Sequence, residues 1–166
     1  MHKTLLTGIA LFIGSSLVAQ AFTIPDYQFK TKADYREHHA HILQCIEWLE
    51  STPYREQILQ RQDAHSYLLA WLEGTPDVTV ELQGYVVDLT KKNPELLILF
   101  FGGWIRYSLN HPDHQKGIIM NHVEGLESLV SFYKKNVGAE LKKNNKLEKL
   151  VKMSPNQRQK WVADQI

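Results

Sequence analysis

Apolar positions recur along this chain at steps of three and four, and each run of that spacing is bounded by a helix start or stop signal. Thr31, followed three residues on by Asp34, makes a capping box with Asp in place of the usual Glu. Behind it Tyr35, His38 or His39, Ile42, Cys45 or Ile46, and Leu49 line one face, which predicts a first helix to about Glu50. Thr52 and Pro53 then read as N-cap and first position of a second helix. Its stripe is Tyr54, Ile58, His65, Leu68, Trp71 and Leu72, up to Gly74. So short a stop predicts antiparallel neighbours. Val78, Val80 and Leu82 alternate with polar residues, yet no second clear strand exists to pair with them. An extended piece near 77–80 leading into a third helix that ends at Lys92 is the expectation.

The stretch Asn93–Asn110, NPELLILFFGGWIRYSLN, is the most apolar part of the chain beyond residue 21. Asn93 can cap it, Pro94 suits the first position and Glu95 complements the helix dipole. Leu96 to Phe101 is apolar on every side, so other helices must cover most of its faces. The run is far short of the ~20 residues that a bilayer crossing needs. Gly102 and Gly103 sit in its interior at a cost of about 2 kcal/mol against alanine, so either another helix approaches closely there or the helix bends. A fifth helix from about Asp113 to Lys135 follows, with Ile119, His122 or Val123, Leu126, Leu129 or Val130, and Tyr133 in core spacing. After a break at Val137-Gly138, Leu147, Leu150 and Val151 mark a short amphipathic helix. Ser154-Pro155 opens a last one that docks through Trp161 and Val162. The fold class is therefore all-α, a single compact domain of about five to seven helices around the apolar helix 94–110.

Residues 1–21 depart from this pattern. Lys3, an apolar centre from Leu5 to Val18 and the small-residue end Ala19-Gln20-Ala21 follow the plan of a secretory signal peptide, with cleavage expected before Phe22. The expectation is an exported protein, periplasmic or extracellular, with no transmembrane segment once the signal is removed. Residues 22–166 then form one helical domain. Its single cysteine, Cys45, leaves no internal disulfide and reads as a small buried hydrophobe. Without Lys3, the 19 basic residues fall to 18 against 18 acidic ones. The balance is uneven: residues 22–133 carry 9 basic and 15 acidic residues, residues 134–166 carry 9 and 3. The basic segment 134–166 has three readings: contact with an anionic surface, packing against the acidic remainder of the same domain, or a solvated helix face. No aromatics are interleaved with its lysines as in a strand-binding groove, so no nucleic-acid partner is expected.

Two features carry candidate chemistry. The first is histidine. His38 and His41, within HHAH, share one helix face, and His111 and His114 frame the turn HPDH. Converged, these four would make a zinc or copper site, although the spacing matches no HExxH, Glu-x-x-His or CxxCH pattern. The second is Arg106, the only charge in the central helix after Glu95, flanked by Trp104 and Tyr107. A guanidinium between aromatics can hold an anionic ligand, or it can pair with a carboxylate from a neighbouring helix. Glu81, Asp88 and Glu95 could supply acid–base chemistry, but nothing in the sequence fixes their separation.

WLEGTPDVTVEL at Trp71–Leu82 and KKNPELLILF at Lys91–Phe100, with Tyr133, Asn136 and the lysine-rich KLEKL, resemble a family of small, uncharacterised exported proteins of Gram-negative bacteria. The resemblance spans most of residues 45–152. It implies an all-α fold, brings no activity and transfers no functional residue. The leading expectation is a non-enzymatic exported helical domain that binds a protein or small-molecule partner beside the central helix, at Trp104, Arg106 and Tyr107. The alternatives are a histidine-based zinc or copper protein and, more remotely, a hydrolase with no recognisable motif.

Overall fold

The Thr31 hydroxyl accepts the Asp34 N–H, while the Asp34 carboxylate takes the N–H groups of Thr31 and Lys30 at 2.7 and 2.8 Å, so the capping box forms with Asp as the sequence proposes. The computed structural model describes residues 22–114 and 117–166; the proposed signal at 1–21 lies outside them. Behind the box, helix α1 (Lys32–Glu37) stops at His38 and α2 (His39–Ser51) begins. One predicted helix is thus two, and the reason lies in α3 (Ile58–Gly74). The indole N–H of Trp71 donates to the Tyr35 carbonyl at 2.8 Å, the acceptor that the N–H of residue 39 would use in an unbroken helix.

α3 runs antiparallel to α2, with Cys45 against Ala64 and Arg61 against Leu49. It starts at Ile58 rather than at Pro53. The amides of Tyr54 and Arg55, which a helix beginning at Pro53 would leave open in its first turn, are taken instead by Asn136 Oδ1 at 3.1 Å and Glu140 Oε2 at 2.9 Å. Gln57 turns the corner at φ 51°. The guanidinium of Arg61, 4% exposed, fills this corner. It donates to the carbonyls of Leu49, Thr52 and Pro53 and lies over the rings of Trp48, Tyr54 and Phe132. Burial lowers its pKa, and backbone carbonyls supply the acceptors that a carboxylate otherwise would.

After α3 the chain crosses the molecule as an extended strap, residues 75–83, and enters the short helix α4 (Gly84–Thr90). The central helix α5 spans Leu96–Asn110. Asn93 does not cap it. The side chain is buried and pairs with both the N–H and the C=O of Lys142, so the sequence's capping residue instead ties down the loop before the C-terminal helices.

A 3₁₀ turn at Pro112–His114 leads to α6 (Ile118–Asn136), antiparallel to α5. The glycines mark where these two touch. A Cβ on Gly103 would collide with the Glu124 carbonyl oxygen, one on Gly125 would lie 2.8 Å from the Phe100 ring, and one on Gly102 would meet Ile46 of α2 at 3.1 Å. Close approach, not bending, is the role of the Gly102-Gly103 pair.

The chain then turns at Gly138, φ 88°, and ends in α7 (Asn145–Lys152) and α8 (Pro155–Ala163). A Ser154–Gln157 capping box starts α8, and Val162, fully buried, docks it with Trp161 edge-on to Tyr85. Part of the basic segment lies against the acidic remainder. Arg158 forks onto Glu127 at 2.5 and 2.7 Å, and Lys146 meets Asp88 at 2.7 Å. The all-helical single domain stands, with eight helices among the described residues. None of these is long and apolar enough to cross a membrane.

Candidate functional site

The strap owes its position to two anchors. Asp77 receives two guanidinium N–H groups of Arg36, Nε and Nη2 each at 2.9 Å, and lies 3.3 Å from His39 Nε2. The Arg36 hydrogen bonds hold the Asp77 carboxyl below its ordinary pKa. Two residues on, the Trp104 indole N–H donates to the Thr79 carbonyl at 3.1 Å, and Val78 between them is buried. The strap is thereby held over α5 without lying flush on it.

On one side of the strap lies an apolar cleft of about 400 Å³ lined by Leu72, Val80, Leu82 and Phe101. On the other is a cavity of about 470 Å³ between the strap and the α5–α6 seam. Trp104 and Ser108, four apart on α5, and Ile118 and Asn121 of α6 line its helical side. Asp77, Thr79 and Glu81 line the strap side. The Asn121 amide donates from Nδ2 to Ser108 Oγ at 3.2 Å, and both residues are 3% exposed. Asn121 Oδ1 is buried and has no hydrogen-bond partner among the described residues. An unpaired buried amide oxygen costs about 1–3 kcal/mol. Glu81 on the rim is exposed and makes no hydrogen bond or ion pair to a described residue.

Next to Asn121 in sequence, His122 is fully buried. Its Nδ1 pairs with the Tyr85 hydroxyl at 2.8 Å, and its ring stands edge-on to Trp104 at 4.7 Å. Burial pushes its pKa down to about 4, so the imidazole is neutral near pH 7.

The sequence's three ligand candidates do not converge. Trp104 is in the cavity wall, but Arg106 stands about 200° further round the helix, and Tyr107, although three residues on and on the same side as Trp104, is not in the lining. Arg106 Nη1 pairs with Glu50 Oε2 at 2.6 Å, and Glu50 Oε1 also takes the Ser128 hydroxyl, so the guanidinium is committed to joining α5 to α2. Tyr107 stacks on His111 at 4.3 Å. Of the metal candidates, His38 and His41 lie side by side, ring centroids 6.0 Å apart, with His38 Nδ1 engaged by the Tyr67 hydroxyl at 2.7 Å. His111 bonds through Nδ1 to the Tyr107 carbonyl, and the His114 side chain is outside those described. The His38–His41 pair offers two ligands where structural zinc takes four. Among the described residues, no group of three or more His, Cys, Asp or Glu is placed to hold a metal ion.

Ser108 and Asn121 escape a reading of the sequence as functional residues. Their one signal is register: Asn121 shares the inward face of α6 with Gly125, Ser128 and Phe132, where a polar amide is out of place. A search of family models, of curated proteins and of solved structures finds no match to this chain.

Proposed function

We propose that this chain is an exported, non-enzymatic binding domain whose ligand is a small molecule seated in the cavity between the strap and the Ser108–Asn121 end of the α5–α6 seam. The observation that carries the reading is the cavity itself, where the Trp104 ring and the buried Ser108 and Asn121 on the helical side lie across from Thr79 and Glu81 of the strap. About 470 Å³ lies within the range of small-molecule pockets, roughly 300–1,000 Å³, and the wall combines an aromatic ring with a few convergent polar groups. Supporting a binding rather than a catalytic role, the Ser108 hydroxyl faces an amide, not an imidazole or carboxylate that could activate it. Export is supported by the three-part pattern of residues 1–21.

The test is a ligand-observed NMR screen of small polar fragments against the protein and against a Thr79→Trp variant. Thr79 is exposed and lines the cavity, so the indole should fill it without disturbing the core. Fragments should bind the native protein, move the Trp104 indole N–H resonance and be lost in the variant. A hit list identical for both proteins removes the reading.

A further inference from the structure

Another cavity, of about 380 Å³, lies where α4, α7 and α8 meet, and we infer that it is a second binding site, for an amphipathic organic anion with an apolar body and a carboxylate head. Each of the three helices turns one face to it. Lys146, Lys149, Leu150 and the α7 cap Met153 follow one another at helical spacing, as do Tyr85, Asp88 and Leu89 of α4, while Trp161 comes from α8 and Gln165 from just beyond its end. The inner surface is apolar: Tyr85, Leu89 and Leu150 are buried, and Met153 and Trp161 are half-buried beside them. Polar atoms of these residues are already used. The Tyr85 hydroxyl pairs with His122 Nδ1 at 2.8 Å, the Leu89 carbonyl accepts from Asn144 Nδ2 at 3.0 Å, and the carbonyls of Leu150 and Met153 both accept from Arg158 Nη1. Such a floor is best covered by hydrocarbon.

The mouth sets the charge of the ligand. Lys146, Lys149 and Asp88 there are all exposed; Lys146 is paired with Asp88 at 2.7 Å, whereas Lys149 makes no hydrogen bond or ion pair to a described residue. The surroundings have the same sign. The Lys92 ammonium donates to the Lys143 carbonyl at 3.2 Å and Asn93 holds Lys142, so the Lys91-Lys92 pair at the end of α4 joins the lysines before α7. Of the carboxylates on these two helices, Asp88 is taken by Lys146 and Glu148 by the Tyr133 hydroxyl at 2.7 Å. An apolar cavity under an uncommitted ammonium complements an apolar body that ends in an acid. A cationic amphiphile would meet Lys149 as a like charge, and a small polar anion would leave the floor uncovered.

The experiment titrates the protein at low ionic strength with octanoate, octanol and octylamine, which share an eight-carbon body, and follows the Trp161 indole N–H resonance. Octanoate should move the resonance and bind about two- to fivefold more tightly than octanol and about tenfold more tightly than octylamine. Lys149→Gln, at an exposed position that leaves the fold intact, should remove the advantage of octanoate over octanol. Met153→Trp, which puts an indole into the cavity, should weaken octanoate and octanol alike by about tenfold, and Thr79→Trp, in the cavity beneath the strap, should change neither. Four results overturn the assignment: no probe moving the Trp161 resonance, octylamine or octanol binding as tightly as octanoate, octanoate binding untouched by both Lys149→Gln and Met153→Trp, or octanoate lost in Thr79→Trp. The last would place the anion under the strap instead.

Discussion

The same two helices, α5 and α6, behave differently at the two ends of their contact. At Gly103 and Gly125 their backbones approach so closely that a single methyl group on Gly103 would overlap the Glu124 carbonyl oxygen. Further along, at Ser108 and Asn121, the residues are still small and buried, but the seam opens into a cavity of about 470 Å³ and an amide oxygen is left unpaired. The tight end joins largely apolar surface around Phe100, Gly103 and Gly125. The open end carries an uncompensated acceptor, held there because the strap is pinned at Asp77 and Thr79 and does not collapse onto the helices. The close-packed and the open ends thus lie little more than one turn apart along one helix pair.

The sharpest way to break the contrast is Gly103→Ala. It should destabilise the fold by about 3 kcal/mol or more, because the new methyl meets backbone rather than a side chain that can turn away. Gly84→Ala, with nothing within 4 Å of the added carbon, is the control and should change stability by less than about 1 kcal/mol. Equal urea midpoints for the two variants would mean that the helices do not touch at Gly103.

Acid should act next, and from the boundary between the two ends. His122, wedged between Phe100, Trp104 and Tyr85, and the half-buried His65 both have pKa values pushed down to about 4. The folded state keeps them neutral while the unfolded chain takes up protons near pH 6.5, so stability is intact above that value and falls as pH drops from about 6.5 towards 4. Between pH 7 and 5.5 the loss should be about 2 kcal/mol for the pair, discounted for the partial exposure of His65. His122→Gln should flatten the dependence of urea midpoint on pH, and an unchanged slope would remove His122 from it.

The smallest effect should carry the opposite sign. Asn121→Leu removes the unpaired amide and puts apolar volume into the open end, so stability should hold or rise by up to about 1 kcal/mol. Thermal unfolding of the variant checks this. A loss of more than about 2 kcal/mol would show the amide to be structural, and the two ends of the seam would then not differ in kind.

The helices were readable in the sequence because their signals are local. The Thr31 and Ser154 caps, the Gly138 turn and the apolar stripe of α6 each act over a few residues, and each stands where its spacing places it. The Gly102-Gly103 pair offered two explanations, and only packing against Glu124 chooses between them. The misread positions are those decided from far away. Thr52 and Pro53 start no helix; they open a corner whose Tyr54 and Arg55 amides are taken by Asn136 and Glu140, 82 and 85 residues further on. Asn93 fails to cap because Lys142, 49 residues later, takes its side chain. Arg106 left two readings open, an anionic ligand or a carboxylate from a neighbouring helix, and Glu50, 56 residues distant in sequence, supplies the second. The site followed the same rule: Trp104 belongs to it, whereas Asn121 has no local signature, because an unmade hydrogen bond is a property of the surroundings.

The dependence of the α2–α3 corner on Asn136 and Glu140 has a meaning in time as well as space. At about 5–20 residues per second, the ribosome makes residues 54 and 55 on the order of ten seconds before the side chains that satisfy their amides. For that interval the two amides lack the acceptors they have in the finished fold, whatever α2 and α3 have formed. α6 brings Phe132 over Arg61 and Asn136 onto Tyr54 together, so the α2–α3 corner can be completed only once the chain has been made through residue 140.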